Sequence, residues 1–219
     1  MMKRLSLLAL LAIAAAPADT SLRDRIVAEA AAQAPATLAF DRAAVASRSG
    51  GGETASQARV DRWAGKAWRV VSVDGKPPSA SDAADAAKAL AAVPVPGYYR
   101  LATLIAKAMP ATDAKSRTVL RADAPPGSVF TSGKDVSENF TAEAVIGGGA
   151  KPFVEQLRLT TRAPFRLMMV AKIERMTAVS DYARDTTGRP RLLRQVTDID
   201  GSMFGSAGKQ HNEASYTYR

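Results

Sequence analysis

The chain contains no cysteine. That excludes disulfides, thiolate metal sites, a cysteine nucleophile and a lipid-modified N-terminal cysteine. Histidine is almost as scarce: His211 stands alone in a polar, alternating stretch, so a metal centre has too few ligands to draw on and the residue reads as a surface group. After the first eighteen residues no segment approaches the roughly 18 uninterrupted apolar residues of a membrane-spanning helix. There is no repeat of fixed period. Without disulfides the fold must be held by an ordinary apolar core, which a chain of 219 residues is long enough to build as one domain.

The familiar catalytic and phosphate-binding patterns are also missing. Gly127 to Asp135 has five residues between its glycines where a phosphate loop has four, and Asp135 stands where the magnesium-binding hydroxyl belongs. Gly50-Gly51-Gly52 has no helix with Lys and Ser/Thr behind it and reads as a linker or hairpin tip. Asp198-Ile199-Asp200-Gly201 lacks the further ligands of a calcium loop. Neither Gly201 to Gly205 nor Gly205 to Gly208 centres a serine as a nucleophile elbow does. A hydrolase would need His211 within about 3 Å of a serine hydroxyl. No cofactor, metal or catalytic residue is expected.

What is present begins with a secretory signal. Lys3 and Arg4 precede the apolar run Leu5 to Ala16, and Ala16-Pro17-Ala18 fits the small-residue cleavage rule, so residues 1–18 are expected to be removed and residues 19–219 to form one exported domain. The net charge of +9 falls to +7 when Lys3 and Arg4 are left out. An excess of that size suits an anionic membrane surface or simply a soluble basic exterior. No nucleic-acid module with interleaved aromatics is present, so no nucleic acid is expected as partner.

Ser21 to Ala34 reads as a capped helix stopped by Pro35, and Ala36 to Val45 as a strand. Ser47 to Ser56 reads as a flexible loop. Gln57 to Trp63 and Lys66 to Val73 form a hairpin in which Trp68 and Val70 share a face. Asp74-Gly75 turns and Pro77-Pro78 stops the strand, marking a hinge. An inserted cover follows over 79–109: an alanine-rich helix to about Ala92, a Pro94 to Gly97 breaker, and a second helix from Tyr98 to Met109 with Leu101, Leu104 and Ile105 on one side. From Thr118 onward the pattern is of strands: Asn139 to Ile146, Phe153 to Arg162, a long strand from Phe165 to about Arg184 whose phase slips near Arg175, Arg191 to Met203, and Gln210 to Arg219. The expected fold is α+β: a curved antiparallel sheet, or half-barrel, of about eight to ten strands with the helices on its concave side.

A thin alanine-rich cover over such a sheet leaves room for an apolar ligand. The candidate lining is Trp68, Val70, Leu101, Leu104, Ile105, Phe165, Leu167, Met169 and Ile173, with Asp74, Gly75, Pro77 and Pro78 as the hinge of the cover. Each apolar residue taken singly also suits a plain core position. The element order, and the stretch WRVVSVDGKPP from Trp68 to Pro78, resemble an uncharacterised exported branch of the periplasmic lipoprotein-carrier (Lol type) superfamily. The resemblance implies a half-barrel closed by a helical lid over a cavity for acyl chains. It therefore implies a carrier of an acyl chain, lipid or other apolar ligand in the periplasm, and the chain is expected to be a non-catalytic monomer. The missing cysteine does not match the membrane-anchored receptors of that superfamily. The competing expectations are an envelope scaffold with a filled core and, behind it, a hydrolase.

Overall fold

A computed structural model describes residues 21–131 and 133–219; the proposed signal peptide lies outside them. The first described element is helix α1, Leu22–Ala31, whose N-terminus is capped by Ser21 Oγ accepting from Asp24 N at 3.2 Å. Its buried residues are Ile26 and Ala30. A 3-10 turn, Pro35–Thr37, then delivers the chain to the sheet.

The first three strands are β1 (Ala39–Gly50), β2 (Glu53–Ala64) and β3 (Trp68–Val73). The expected Ser47 to Ser56 loop is in fact the paired ends of β1 and β2, with only Gly51-Gly52 left as the turn, both at positive φ as a two-residue hairpin requires. Small polar residues there favour a loop by composition, but β1 is hydrogen-bonded on both sides, to β2 and to the last strand, and that pairing overrides composition. Helix α2, Ala80–Ala91, follows the Asp74-Gly75 turn with Ser79 as its cap and packs against β3.

The second cover helix is much shorter than its sequence pattern. Tyr98–Arg100 is a 3-10 turn, α3 is only Leu101–Leu104, and Met109–Thr112 has become strand β4. Leu101, Leu104, Ile105 and Ala108 are buried while Thr103, Ala106 and Lys107 are exposed, so the segment keeps one side on the core although its helix is a single turn. Pro110 is tolerated because β4 is an edge strand.

Strand β5 (Thr118–Asp123) pairs β4, and the small hairpin β6 (Phe130–Thr131) and β7 (Lys134–Asp135) stands apart as its own two-stranded sheet. Then come β8 (Phe140–Gly147) and β9 (Phe153–Thr161). The long strand expected from Phe165 to Arg184 is a hairpin: β10 (Phe165–Met168) and β11 (Ala171–Arg184) turn at Met169-Val170, with Phe165 opposite Ile173. A two-residue turn alone sets Met168 and Ala171 on one face and reverses the period-2 phase, but the register shift between Arg166 and Met168 restores it, so Phe165 and Ile173 keep the alternation, and no Gly, Asn or Pro marks the turn. The phase slip is present, as a register shift between Ile173 and Arg175. Strands β12 (Pro190–Met203) and β13 (Ser206–Tyr218) complete the chain.

Eleven strands form one antiparallel sheet, more than the expected eight to ten, in the order β3-β2-β1-β13-β12-β11-β9-β8-β5-β4, with β10 paired to β11. It is open, with β3 and β4 as edges. The register puts Trp63, Phe40, Tyr218, Tyr182, Leu157, Ala144 and Leu120 on one face, and with α1 and α3 these make one continuous core. Contacts tie the helical layer to widely separated strands. Trp63 Nε1 donates to Pro35 O at 3.0 Å, Arg184 pairs with Glu29 at 2.6 Å, and Val154 N donates to Tyr98 Oη at 3.1 Å. Among the described residues no helix is long and apolar enough to cross a membrane.

Candidate ligand-binding groove

The inner face changes character along the strands. Near α1 and α3 it is aromatic and aliphatic: Phe40 meets Trp68 at 5.6 Å and Tyr216 at 5.5 Å edge-on and Tyr218 at 5.6 Å tilted, and Tyr98 meets Tyr182 edge-on at 5.3 Å. Burial pushes the phenols of Tyr98, Tyr216 and Tyr218 up to about 12, and that of Tyr182 further still. Farther along the same strands, in phase with Phe40 and Tyr216, the inward residues turn polar: Arg42, Arg59, Asp61, Gln195, Thr197 and Asn212.

Asp61 anchors this polar half. It is completely buried, with Arg42 Nη2 at 2.6 Å from Oδ2 and Arg59 Nε at 2.9 Å from Oδ1. Two guanidinium groups on one carboxylate leave a net positive charge on the inner face. Arg42 also lies over the Trp68 ring at 5.2 Å, a cation–π contact that joins the polar half to the aromatic half. A side-chain chain runs beside them, Tyr216 Oη donating to Gln195 Oε1 at 3.3 Å and Gln195 Nε2 donating to Ser180 Oγ at 3.3 Å.

Between this face and the segment that follows α2 lies a cavity of about 330 Å³. Its roof is Val93, Pro94, Pro96 and Arg100 with the segment Ser128 to Thr131 that leads into and forms β6; its floor is Leu159, Met176, Ala178, Thr197, Ile199 and Asn212. Arg100 is held there by donating from Nη2 to Ser128 O. An adjoining cavity of about 240 Å³ shares Arg42, Gln195, Thr197 and Asn212. The volume is in the range of small-ligand sites, and the wall pairs apolar surface with a few convergent polar groups.

None of the nine residues expected to line a pocket lines these cavities. Val70, Leu101, Leu104, Ile105 and Ile173 are buried, Trp68 and Phe165 are half-buried aromatics packed on the core, and Leu167 is partly buried beside them. Met169 is at the hairpin tip and 92% exposed, so it does not face inward with Leu167 and Ile173 as a continuous strand would have it. In the expected hinge, Asp74, Gly75 and Pro77 are exposed and Pro78 is half-buried; Asp74 Oδ1 accepts from Ala58 N at 2.8 Å. The groove residues that sequence reading missed carried a usable signal: polar residues in phase with apolar ones, Arg42 with Phe40 and Asn212 with Tyr216. The segment Ser128 to Thr131 carried none.

His211 is on the opposite face, with Nδ1 at 2.7 Å from Asp198 Oδ1 and Nε2 at 3.9 Å from Glu213. Ser47 is its cross-strand neighbour, but no serine hydroxyl is hydrogen-bonded to the ring among the described residues. Nor do three or more metal-ligating side chains gather there. No family model matches the chain, and no curated protein matches it either.

Proposed function

We propose that the protein is a non-catalytic carrier of the periplasmic lipoprotein-carrier type: a half-barrel that holds an acyl chain, lipid or other apolar ligand with a polar or anionic head. The observation that carries the reading is the unfilled 330 Å³ between the inner face and the Val93 to Arg100 segment, apolar on the side of Met176 and Ile199 and cationic at Arg42 and Arg100. An acyl chain would lie along the first, and the guanidinium groups would attract a carboxylate or phosphate head. Export by the N-terminal signal would put the protein where such ligands cross between membranes. The connection through Asp74 to Pro78 is the natural pivot for the cover.

Native mass spectrometry of gently purified protein tests this: a lipid adduct released on mild activation is expected. Only empty protein, together with no uptake of a fluorescent fatty acid, would leave the scaffold reading in its place. That second reading is favoured by one observation, the burial of Leu101, Leu104 and Ile105, which fills part of the space beneath the cover with the protein's own side chains.

A further inference from the structure

Two hairpin tips meet at the rim of the sheet. Phe204 N donates to Val170 O at 2.8 Å, which holds the β12–β13 turn against the β10–β11 turn. Both tips are apolar. Met169 is 92% exposed, Phe204 78% and Met203 53%, and Met168 and Val170 beside them are exposed as well. Most of the large apolar side chains that the described residues leave in solvent are therefore at this one place. Scattered apolar residues on a surface need no account; a contiguous set at a protruding tip does.

The backbone sharpens the point. The turn Phe204-Gly205 has positive φ at both positions, 51° and 82°. The corresponding turns elsewhere in the sheet use Gly51-Gly52 and Asp74-Gly75, residues that suit that conformation. A phenylalanine there is strained, and it packs on no core to offset the strain. The tip is also flanked by cations. Arg166 is exposed and donates to Met169 O at 3.2 Å, and Lys134, exposed on the neighbouring β6–β7 hairpin, reaches Leu167 O at 3.4 Å. The nearby carboxylates Glu174 and Asp200 are each within 2.7 Å of a basic partner, Lys172 and Arg175.

We propose that these paired tips dock the protein onto an anionic lipid bilayer, with Met169, Val170, Met203 and Phe204 entering the interface and Lys134 and Arg166 meeting the headgroups. Apolar side chains with a cationic collar are the combination that binds membrane surfaces. From Ile199 in the cavity floor, β12 reaches Met203 in four residues, about 13 Å at the rise of a strand. Docking by the tips would bring the groove close to the lipid. The proposal does not rest on the groove holding a ligand.

The test is sedimentation of the full chain with vesicles of phosphatidylglycerol and phosphatidylethanolamine, and of phosphatidylcholine alone, without added fatty acid. Any contribution of residues 1–20 is then common to all variants. The parent is expected to bind the anionic vesicles and to lose binding as salt is raised. Met169→Asp with Phe204→Asp should weaken binding at least tenfold, and Arg166→Glu should weaken it about fivefold on anionic vesicles alone. Phe204→Gly should weaken binding yet raise the melting temperature, because it relieves the turn; a merely structural phenylalanine would move both together. Unchanged vesicle binding by the double variant overturns the proposal, as does equal binding of the parent to neutral vesicles. So does a double variant that abolishes self-association in the ultracentrifuge while vesicle binding stays the same. Failure here would leave the fatty-acid uptake reading untouched.

Discussion

Asp61 offers a quantitative test of how the polar half of the groove is built. Its carboxylate is fully buried and holds Arg42 and Arg59, whose side chains are themselves only about a sixth to a quarter exposed. Replacing Asp61 with leucine leaves two guanidinium groups, largely but not wholly withdrawn from water, without their shared carboxylate, and breaking a buried ion pair in this way typically costs about 3–5 kcal/mol. For a chain of this size each kcal/mol moves the melting temperature by about 2–4 °C, so Asp61→Leu should melt roughly 6–20 °C below the parent. Removing all three charges together, with Arg42→Met, Arg59→Met and Asp61→Leu, should recover most of that loss, since apolar replacement of a whole buried ionic cluster is often neutral or stabilising. Urea denaturation followed by the fluorescence of Trp63 and Trp68 reads both variants directly. The reasoning is refuted if the single substitution costs less than about 1 kcal/mol, or if the triple variant is as unstable as the single one. The triple variant has a second use. If it folds well but no longer takes up anionic amphiphiles, the arginines serve binding rather than stability.

The tyrosines supply an alkaline prediction: all five are shifted upward, by burial in every case. The stability they contribute is fully present below the unfolded value near 10 and is lost as pH rises toward about 12. Two units correspond to roughly 2.7 kcal/mol for one group, so three together, about 8 kcal/mol, are comparable to the roughly 5–15 kcal/mol by which a typical domain is stable. Absorbance at 295 nm and circular dichroism should therefore change in one cooperative step between pH 10 and 12, and independent titration near 10 with intact dichroism would contradict the burial pattern. At the acid end, Arg62 and Arg219 hold the Asp41 carboxyl at about 2, so its contribution is present above about 4 and fades as pH falls toward 2. Asp41→Asn should flatten that part of the stability profile. Pro77→Gly combined with Pro78→Gly should speed release of bound fatty acid with a small stability loss, about 1–2 kcal/mol for the pair; unchanged release would make the segment a fixed corner.

The antiparallel sheet was legible because its strands alternate cleanly and its turns at Gly65, Asp74-Gly75 and Gly148-Gly149 announce themselves by residue type. What escaped did so for physical reasons. The Met169-Val170 turn has no turn residue, and the register shift between Arg166 and Met168 beside it conserves the alternation, so two strands read as one. The Tyr98 to Met109 stretch has a helical stripe, yet Ile105 and Ala108 are buried on all sides and Met109 is claimed by pairing with Arg121 across β4 and β5. The proposed groove lies apart from the expected lining because large apolar residues were favoured there. Such residues are the ones a core consumes, whereas an open cavity keeps polar partners such as Arg42, Gln195 and Asn212 that can face water when no ligand is bound.

The most direct measurement is a titration of the protein with a fluorescent fatty acid, comparing the parent with Thr197→Trp, which fills the cavity floor, and Thr217→Trp, which places the same ring on the opposite face. Saturable uptake by the parent and by Thr217→Trp, lost in a Thr197→Trp variant of unchanged melting temperature, is the predicted result. Uptake that survives Thr197→Trp, or no uptake by the folded parent, would contradict the assignment of the groove as a ligand site.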